Sequence, residues 1–308
     1  MNTENDTSEV NSLENYLHEI FHLSRGNNFP IFFRGQACDR WSVKPSIMRS
    51  GLKEDAENKA FSELMTETPD EFYNDKYMFD KLVRAQHYGL PTRILDVTLN
   101  PLVALYFACH DENYYQTNGA VFAFEVTDNH RLKYPDSDTI SLITYLTRLS
   151  DRDRSIIVST YNNGNHQLHS FVELEPILRL IHFVKTEKPY FKNNIDPIDL
   201  FRYYFVYPNK NNKRVIAQSG AFMVTGLLDS LPPNCSDGIE VSKIVISAGA
   251  KENLLTELNQ LNINSRTLFP EIEYAAKYIR QKWTNNLSIK PDSCYSCRNA
   301  DCTNIITK

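Results

Sequence analysis

The sequence predicts an α+β fold, with a mixed or antiparallel β core and flanking helices. Apolar residues keep helical spacing in some segments and form short β-rich runs in others. The two kinds of segment do not alternate strictly along the chain, whereas strict alternation would favour a doubly wound parallel sheet. The chain has 308 residues, of which 42% are hydrophobic, and this is enough for one large core or two modest ones.

Each predicted element follows from a local pattern. Helical periodicity covers residues 8–24, 53–66, 71–88, 101–110, 138–149, 174–181, 250–261 and 270–284. Runs typical of strands occur at residues 30–33, 120–126, 203–207, 221–225 and 241–247. Gly89 fits the position just after a helix, Asn100 can cap the next one, and Pro101 suits its first turn. The helix that follows is apolar on most sides, which predicts burial.

Three regions are predicted: an N-terminal helix at 1–29, one domain at 30–284, and a polar tail with cysteines at 285–308. In the tail, Cys294 and Cys297 have the spacing of a metal hook, and Cys302 follows. A closed zinc site needs four ligands and no cysteine or histidine comes later, so a disordered tail is favoured over zinc. No metal ligand is therefore assigned.

The net charge and the N-terminal residues argue against several classes of protein. The net charge is −5, so the whole molecule has no field that attracts nucleic acid or an acidic membrane, although a local basic cleft stays open. The first residues are polar and acidic, and no apolar run is long enough to cross a bilayer. A cytoplasmic protein with no membrane partner is expected. Six cysteines in a chain of this length do not indicate a disulfide scaffold.

The first segment with chemical promise is Phe32 to Gln36. Arg34 follows an apolar run, and an arginine there can lay its planar fork of donors on a phosphate or carboxylate. Gly35 would let a ligand approach the backbone. The alternative is that Arg34 pairs with a carboxylate in the core.

The second segment, residues 85–98, is dense in polar groups yet lies between two apolar helices. Buried polar groups need partners, so the segment either forms a hydrogen-bond network or lines a cleft. His87 can serve as an acid, a base or a donor to a ligand, or it can simply cap its helix. Arg93 and Asp96 can bind a ligand or bridge each other.

The third segment runs from Arg214 to Phe222. Gln218 offers two donors and one acceptor before a glycine, and Arg214 is a second candidate anion ligand. A solvated loop is the simpler interpretation of these residues alone. The chain contains no P-loop, dinucleotide-binding glycine pattern, HExxH or GxSxG, which removes the commonest enzyme classes.

Taken together, the three segments resemble the FRG domain family over roughly residues 30–280. The resemblance rests on Phe33-Arg34-Gly35, the long run from Gln86 to Ala108, and the block from Arg214 to Phe222. Such domains are found mostly in bacteria and phages, often in defence-like settings, which implies a defence or toxin effector.

The pattern is also distantly similar to the ADP-ribosyltransferase fold, and this likeness implies roles for the candidate residues. NAD would be the co-substrate, bound by Arg34, Gly35, Arg93, Thr98 and Arg214. His87, Asp96 and Gln218 would be catalytic. The catalytic glutamate of that fold is missing here, since its position holds Arg214 or Gln218.

Two main functions follow from the resemblance. The preferred one is an enzyme that transfers ADP-ribose to an unknown macromolecular target or hydrolyses NAD. The other is a module that binds a nucleotide or ADP-ribose without chemistry, which the missing glutamate favours. A nuclease-like toxin using His87, Arg93 and Asp96 ranks last, because no metal-binding acidic cluster is evident. All of these depend on Arg34, His87, Asp96 and Gln218 meeting in one pocket.

Overall fold

The computed structural model of the protein describes residues 9–23, 29–49, 51–164, 168–193, 195–210, 212–228, 235–236 and 238–283. Within these ranges the strands are Glu9–Val10 (β1), Ile31–Gln36 (β2), Ile94–Thr98 (β3), Gly119–Val126 (β4), Leu132–Lys133 (β5), Tyr203–Val206 (β6), Gly220–Thr225 (β7), Cys235–Ser236 (β8) and Ile239–Ile246 (β9). The α-helices are Leu13–Leu23 (α1), Ala56–Glu67 (α2), Met78–His87 (α3), Pro101–Cys109 (α4), Asp138–Tyr145 (α5), Asp151–Asn162 (α6), Leu168–Val172 (α7), Glu175–Glu187 (α8), Lys213–Ala217 (α9), Lys251–Gln260 (α10), Ser265–Leu268 (α11) and Ile272–Trp283 (α12).

The strands form one mixed sheet in the order β1-β9-β4-β2-β3-β7-β6-β5, and β8 pairs with β9. The pairs β1–β9 and β5–β6 are parallel, and the other neighbours are antiparallel. Helices pack on the sheet without alternating with its strands. The predicted α+β class with a mixed β core is therefore confirmed.

The sheet is nearly divided in two between β2 and β3. Among the described residues these strands are joined at a single register position, where Phe33 faces Thr98. By contrast, β2 pairs with β4 along its whole length, and so does β3 with β7. Residues 34–36 of β2 thus pair with a neighbouring strand on one side only, and there is a gap in the strand pairing beside them.

Three clusters of buried side chains form the core. One lies between the sheet and the helices α1, α4 and α10, and a second lies under α3, α5 and α8. The third covers the other face of the sheet, where Phe32 stacks on Phe205 with ring centroids 4.4 Å apart. Within the described ranges this third cluster contains strand and loop residues but none from the α-helices.

Helix α4 is the central helix and begins as predicted. The Asn100 side chain accepts a hydrogen bond from Leu102 N at 2.9 Å, and Pro101 occupies the first turn. Most residues of α4 are buried, as its apolar sequence predicts. The helix lies so close to the sheet that the Cβ position of Gly35 falls 1.9 Å from Ala104 O, and that of Gly119 falls 2.5 Å from Ala108 O.

Several element boundaries differ from the predictions. Strand β2 continues to Gln36, so Arg34 and Gly35 lie within it rather than after it. The helix predicted over 71–88 begins only at Met78, whose backbone N–H donates to Glu187 Oε2 of α8 at 2.6 Å. Because this cap comes from more than a hundred residues away, the local pattern does not reveal it.

Four α-helices of the described chain, α6, α7, α9 and α11, were not predicted. Residues 214–218, ambiguous in the sequence, form most of α9 and its C-cap, and the helix begins at Asn212, whose side chain accepts from Arg214 N at 2.8 Å. Helix α6 begins at a similar cap, Ser150. In the described part of the chain, no helix has the length and apolar character needed to span a bilayer.

Candidate functional site

Alternation along β2 sends its side chains to opposite faces of the sheet. Phe33 and Gly35 face α4, since Phe33 belongs to the α4 core cluster and Gly35 touches the helix backbone. Arg34 and Gln36 face the opposite way, where Arg34 lies opposite Phe122 of the third core cluster. The close approach of α4 thus requires the glycine, and the two neighbouring polar side chains are directed away from that helix.

Arg34 and Gln36 line a cleft with a volume of about 1460 Å³, here called the Arg34 cleft. Its walls come from the loop after β2, the start of α2, helix α6 and the end of β7. The basic side chains that line it are Arg34, Arg40, Lys44, Arg49, Lys53, Arg93 and Arg154. The acidic ones are Glu57, Asp111 and Asp151. In a protein of net charge −5, this cleft is a local basic site.

The Arg34 guanidinium is only partly satisfied by the protein. Its Nη1 donates to the backbone oxygen of Asp96 at 2.6 Å, across the opening between β2 and β3. Its buried Nε has no hydrogen-bond partner among the described residues. Burial lowers the pKa of Arg34 to about 10; Asp96 opposes this shift and the nearby charge of Arg49 adds to it. At neutral pH the group therefore remains a cation with donors to spare.

Gln36 is the second incompletely bonded group of the cleft. The residue is only 4% exposed, and its side-chain oxygen has no hydrogen-bond partner in the described ranges. A buried acceptor without a donor is costly. The floor of the cleft thus presents one free donor and one free acceptor, two residues apart on one strand.

An aromatic side chain stands at the same cleft. Trp41 is 42% exposed and packs edge-on against Tyr114, with ring centroids 4.8 Å apart. The loop that carries it is anchored from behind by Lys251, whose ammonium donates to Ala37 O at 2.7 Å and Tyr114 O at 2.8 Å. Lys243 adds a bond to Asp39 O at 2.7 Å. These contacts fix the wall of the cleft in place.

Arg93, predicted to bind a cofactor, is occupied within the protein. It is 1% exposed, and its Nε and Nη2 each contact a different oxygen of the Glu57 carboxylate at 2.7 Å. Its Nη1 donates to Gly226 O at 2.9 Å, and Arg154 contacts the same Glu57 at 3.1 Å. This ionic cluster joins β3 to α2, α6 and the end of β7. The alternative of a bridge between Arg93 and Asp96 is not found, since the Arg93 guanidinium pairs with Glu57.

Asp96 faces a different hollow, here called the His87 pocket, with a volume of about 70 Å³. Its polar lining consists of Gln86, His87, Asp96, Asn212, Arg214 and Gln218. The Gln86 amide donates to Asp96 Oδ2 at 2.5 Å and accepts from the Thr92 hydroxyl at 2.5 Å. These groups satisfy one another, as the network interpretation of the segment predicts.

His87 lies at the end of α3, 3.6 Å from Glu271 as measured from Nε2 to Oε1. Burial lowers the pKa of His87, the charge of Arg214 lowers it further, and Glu271 opposes both. The ring is therefore held towards its neutral form. The neutral ring can accept a proton or a hydrogen bond, but no described neighbour orients it towards the Arg34 cleft.

The remaining predicted residues hold the turn between α9 and β7. The Thr98 hydroxyl donates to Gln218 O at 2.7 Å, and the Gln218 amide donates to Leu268 O at 3.1 Å. The Arg214 guanidinium lies over the Phe269 ring at 4.7 Å. Each of these contacts ties one chain segment to another, and none is directed at the Arg34 cleft.

Arg34, His87, Asp96 and Gln218 do not all line one pocket: the last three line the His87 pocket, and Arg34 lines the other cleft. Thr98 shares a face with Phe33 because the two pair, so Asp96, two residues away, leaves on that face as well. Arg34 leaves on the other. The sheet separates the two side chains, and only the Arg34–Asp96 backbone contact joins the two sites.

Three residues of the Arg34 cleft, Gln36, Trp41 and Arg49, were not among the predicted site residues. The sequence does contain a pattern that could have predicted the basic lining of the cleft. Basic residues recur every four or five positions directly after β2, at Arg40, Lys44, Arg49 and Lys53. Cys294, Cys297 and Cys302 lie outside the described residues. Within the described ranges, no group of three or more His, Cys, Asp or Glu side chains is placed to hold a metal ion.

Comparison with known proteins bears on the segment that builds this cleft. The FRG domain model matches residues 30–117. This range contains β2, the loop after β2 that carries Arg40, Lys44, Arg49 and Lys53, and the elements α2, α3, β3 and α4. No curated protein and no solved structure shows a significant match to the chain. The match covers the two segments on which the sequence resemblance chiefly depends. The chain therefore carries an FRG domain at residues 30–117, and Arg34 is the arginine of the Phe-Arg-Gly step within it.

Proposed function

We propose that this FRG domain is a binding module for a nucleotide of the NAD and ADP-ribose class. The ligand occupies the Arg34 cleft, and its phosphate contacts the Arg34 guanidinium. The observation that carries the proposal is the partly unsatisfied Arg34: it is charged, its buried Nε has no acceptor among the described residues, and it lies in a cleft. A phosphate oxygen supplies the acceptor that the protein does not.

The charge around Arg34 supports an anionic ligand. The acidic groups Glu57 and Asp151 both contact Arg154, and Glu57 also holds Arg93, so these carboxylates are already neutralised by internal partners. Arg49 is near enough to lower the pKa of Arg34, so two cations lie close together at this cleft. An anion bound there relieves their repulsion.

Binding is favoured over NAD cleavage by the position of the predicted catalytic groups. A carboxylate that stabilises the developing oxocarbenium ion has to lie beside the bound ribose. Asp96, His87 and Gln218 line the His87 pocket on the other face of the sheet. Asp111, which lines the Arg34 cleft, already accepts from Asn113 N at 3.1 Å.

The test is calorimetric titration of the protein with NAD, ADP-ribose and AMP, with NAD loss followed by chromatography in the same samples. We expect saturable binding of at least one nucleotide, no NAD loss, and at least tenfold weaker binding to Arg34→Met. Arg266→Met, an exposed arginine that lines neither site, should bind as the wild type does. Absence of binding across the panel overturns the proposal, and NAD loss replaces it with the enzymatic alternative.

A further inference from the structure

We infer that Gln36 selects the ligand of the Arg34 cleft. Its side-chain oxygen accepts a hydrogen bond from an N–H or O–H group of the ligand, so the cleft prefers a nucleoside phosphate to a bare phosphate. This inference rests on the proposed nucleotide binding and names the group that gives that binding its specificity.

The first step is the unusual state of the Gln36 amide. The residue is only 4% exposed, yet its oxygen has no donor among the described residues. The unmade bond penalises the folded protein, and an apolar side chain of the same size would avoid the penalty. A glutamine here is thus unfavourable for stability alone, and a ligand donor removes the penalty.

The second step is that a donor and an acceptor, both without partners among the described residues, lie on the same face of β2. Among the described residues, Arg34 has no acceptor at Nε and Gln36 has no donor at its side-chain oxygen. Side chains two residues apart on a strand are about 7 Å apart, twice the rise per residue. One ligand with a phosphate at one end and a hydroxyl or amine at the other can satisfy both groups. Inorganic phosphate can satisfy only the arginine well.

The third step is the cleft wall. Trp41 lines the same cleft and is substantially exposed, although Tyr114 fixes its edge. Exposed aromatic rings are common stacking surfaces for nucleobases, and such stacking tolerates any base. A nucleoside phosphate therefore finds a partner for each of its parts: Arg34 for phosphate, Gln36 for a polar hydrogen, and Trp41 for the base.

The experiment compares wild type, Gln36→Met and Arg34→Met with three probes: inorganic phosphate, ribose 5-phosphate and AMP. For the wild type we expect ribose 5-phosphate or AMP to bind at least tenfold more tightly than phosphate. In Gln36→Met that preference should fall to less than threefold, while phosphate binding stays unchanged. An advantage already present in ribose 5-phosphate identifies a hydroxyl donor, and one confined to AMP identifies the base.

A thermal unfolding measurement without ligand separates this role from a structural one. Gln36→Met should unfold at the same temperature as the wild type or higher, because the variant loses an unsatisfied acceptor. Lower unfolding temperatures in both Gln36→Met and a second variant, Gln36→Leu, would indicate a structural glutamine and overturn the inference.

The outcomes also distinguish this inference from the proposed function. If all probes bind the wild type and Gln36→Met equally, and Arg34→Met weakens them all, the nucleotide site stands and Gln36 has no selective role. If none of the phosphates binds the wild type, the proposed function fails as well.

Discussion

Two polar segments of the chain meet at the middle of the sheet and use their polar groups in opposite ways. In the segment 86–98, Gln86, Thr92 and Asp96 bond to one another, and Arg93 is enclosed by Glu57 and backbone carbonyls. In the segment 32–36, Arg34 and Gln36 are left with atoms that lack partners in the described chain. The longer motif completes the fold, and the shorter one keeps hydrogen-bonding groups that the described chain does not use.

The difference teaches how density of polar residues should be interpreted. A long polar motif between apolar helices must satisfy itself to be buried, so its residues become partners of one another. Function is better indicated by a polar group that folding leaves incomplete. The four predictions below challenge this contrast, starting with the segment that should matter most for stability.

Arg93→Met should have the largest effect on folding. Removing one member of a buried ion pair costs about 3–5 kcal/mol, and we expect the lower end because Arg154 still contacts Glu57. Urea unfolding followed by circular dichroism measures the loss. The double variant Arg93→Met with Glu57→Gln should lose less than the sum of the single changes. A stable Arg93→Met protein that no longer binds nucleotide would show that Arg93 is a ligand residue after all.

Gly35→Ala should come next, at about 2–3 kcal/mol of lost stability. The new Cβ would lie 1.9 Å from Ala104 O and 2.7 Å from Ala108 N, and both are backbone atoms that can move only with α4. Gly249→Ala is the control, because nothing lies within 4 Å of its Cβ position. Chemical unfolding compares the two. If Gly35→Ala is as stable as the wild type but no longer binds nucleotide, the role of Gly35 is to let the ligand approach the backbone, which is the role suggested from the sequence.

Arg34→Lys should behave in the opposite way to Arg93→Met, with a small effect on stability and a large effect on nucleotide binding. Among the described residues its guanidinium has one hydrogen bond, to Asp96 O, so the loss of this bond should cost about 1 kcal/mol of stability. Lysine lacks the planar fork, and nucleotide binding should weaken at least tenfold. Paired denaturation and calorimetry test both parts, with Arg266→Lys as the control. Unfolding losses comparable to those of Arg93→Met would erase the contrast between the segments.

The sequence predicted those features that are decided locally. The cap at Asn100, the burial of α4 and the α+β class all follow from short patterns, and all are present. The partners of Arg93 lie 36 and more than a hundred residues away, so no local pattern identifies them. The separation of Arg34 from Asp96 depends on one register position between β2 and β3. A shift of that register by one residue would put both side chains on the same face.

The smallest expected effect concerns the His87 pocket and the pH. Since burial and Arg214 hold the pKa of His87 below its ordinary value, the unfolded chain binds the proton more readily than the folded protein does. Its contribution to stability is therefore complete above about pH 6.5, the unfolded value, and is lost as the pH falls through the folded pKa. We expect the difference between wild type and His87→Gln to change by less than about 1 kcal/mol from pH 7.5 to 5, because solvent screens the partly exposed ring. Denaturation of both proteins across this range measures the change in this stability difference, with the variant His182→Gln, at an exposed histidine, as control.

Since His87 lies across the sheet from Arg34, nucleotide affinity of the His87→Gln variant at pH 7.5 should equal that of the wild type. A tenfold loss would mean that the two faces act as one site.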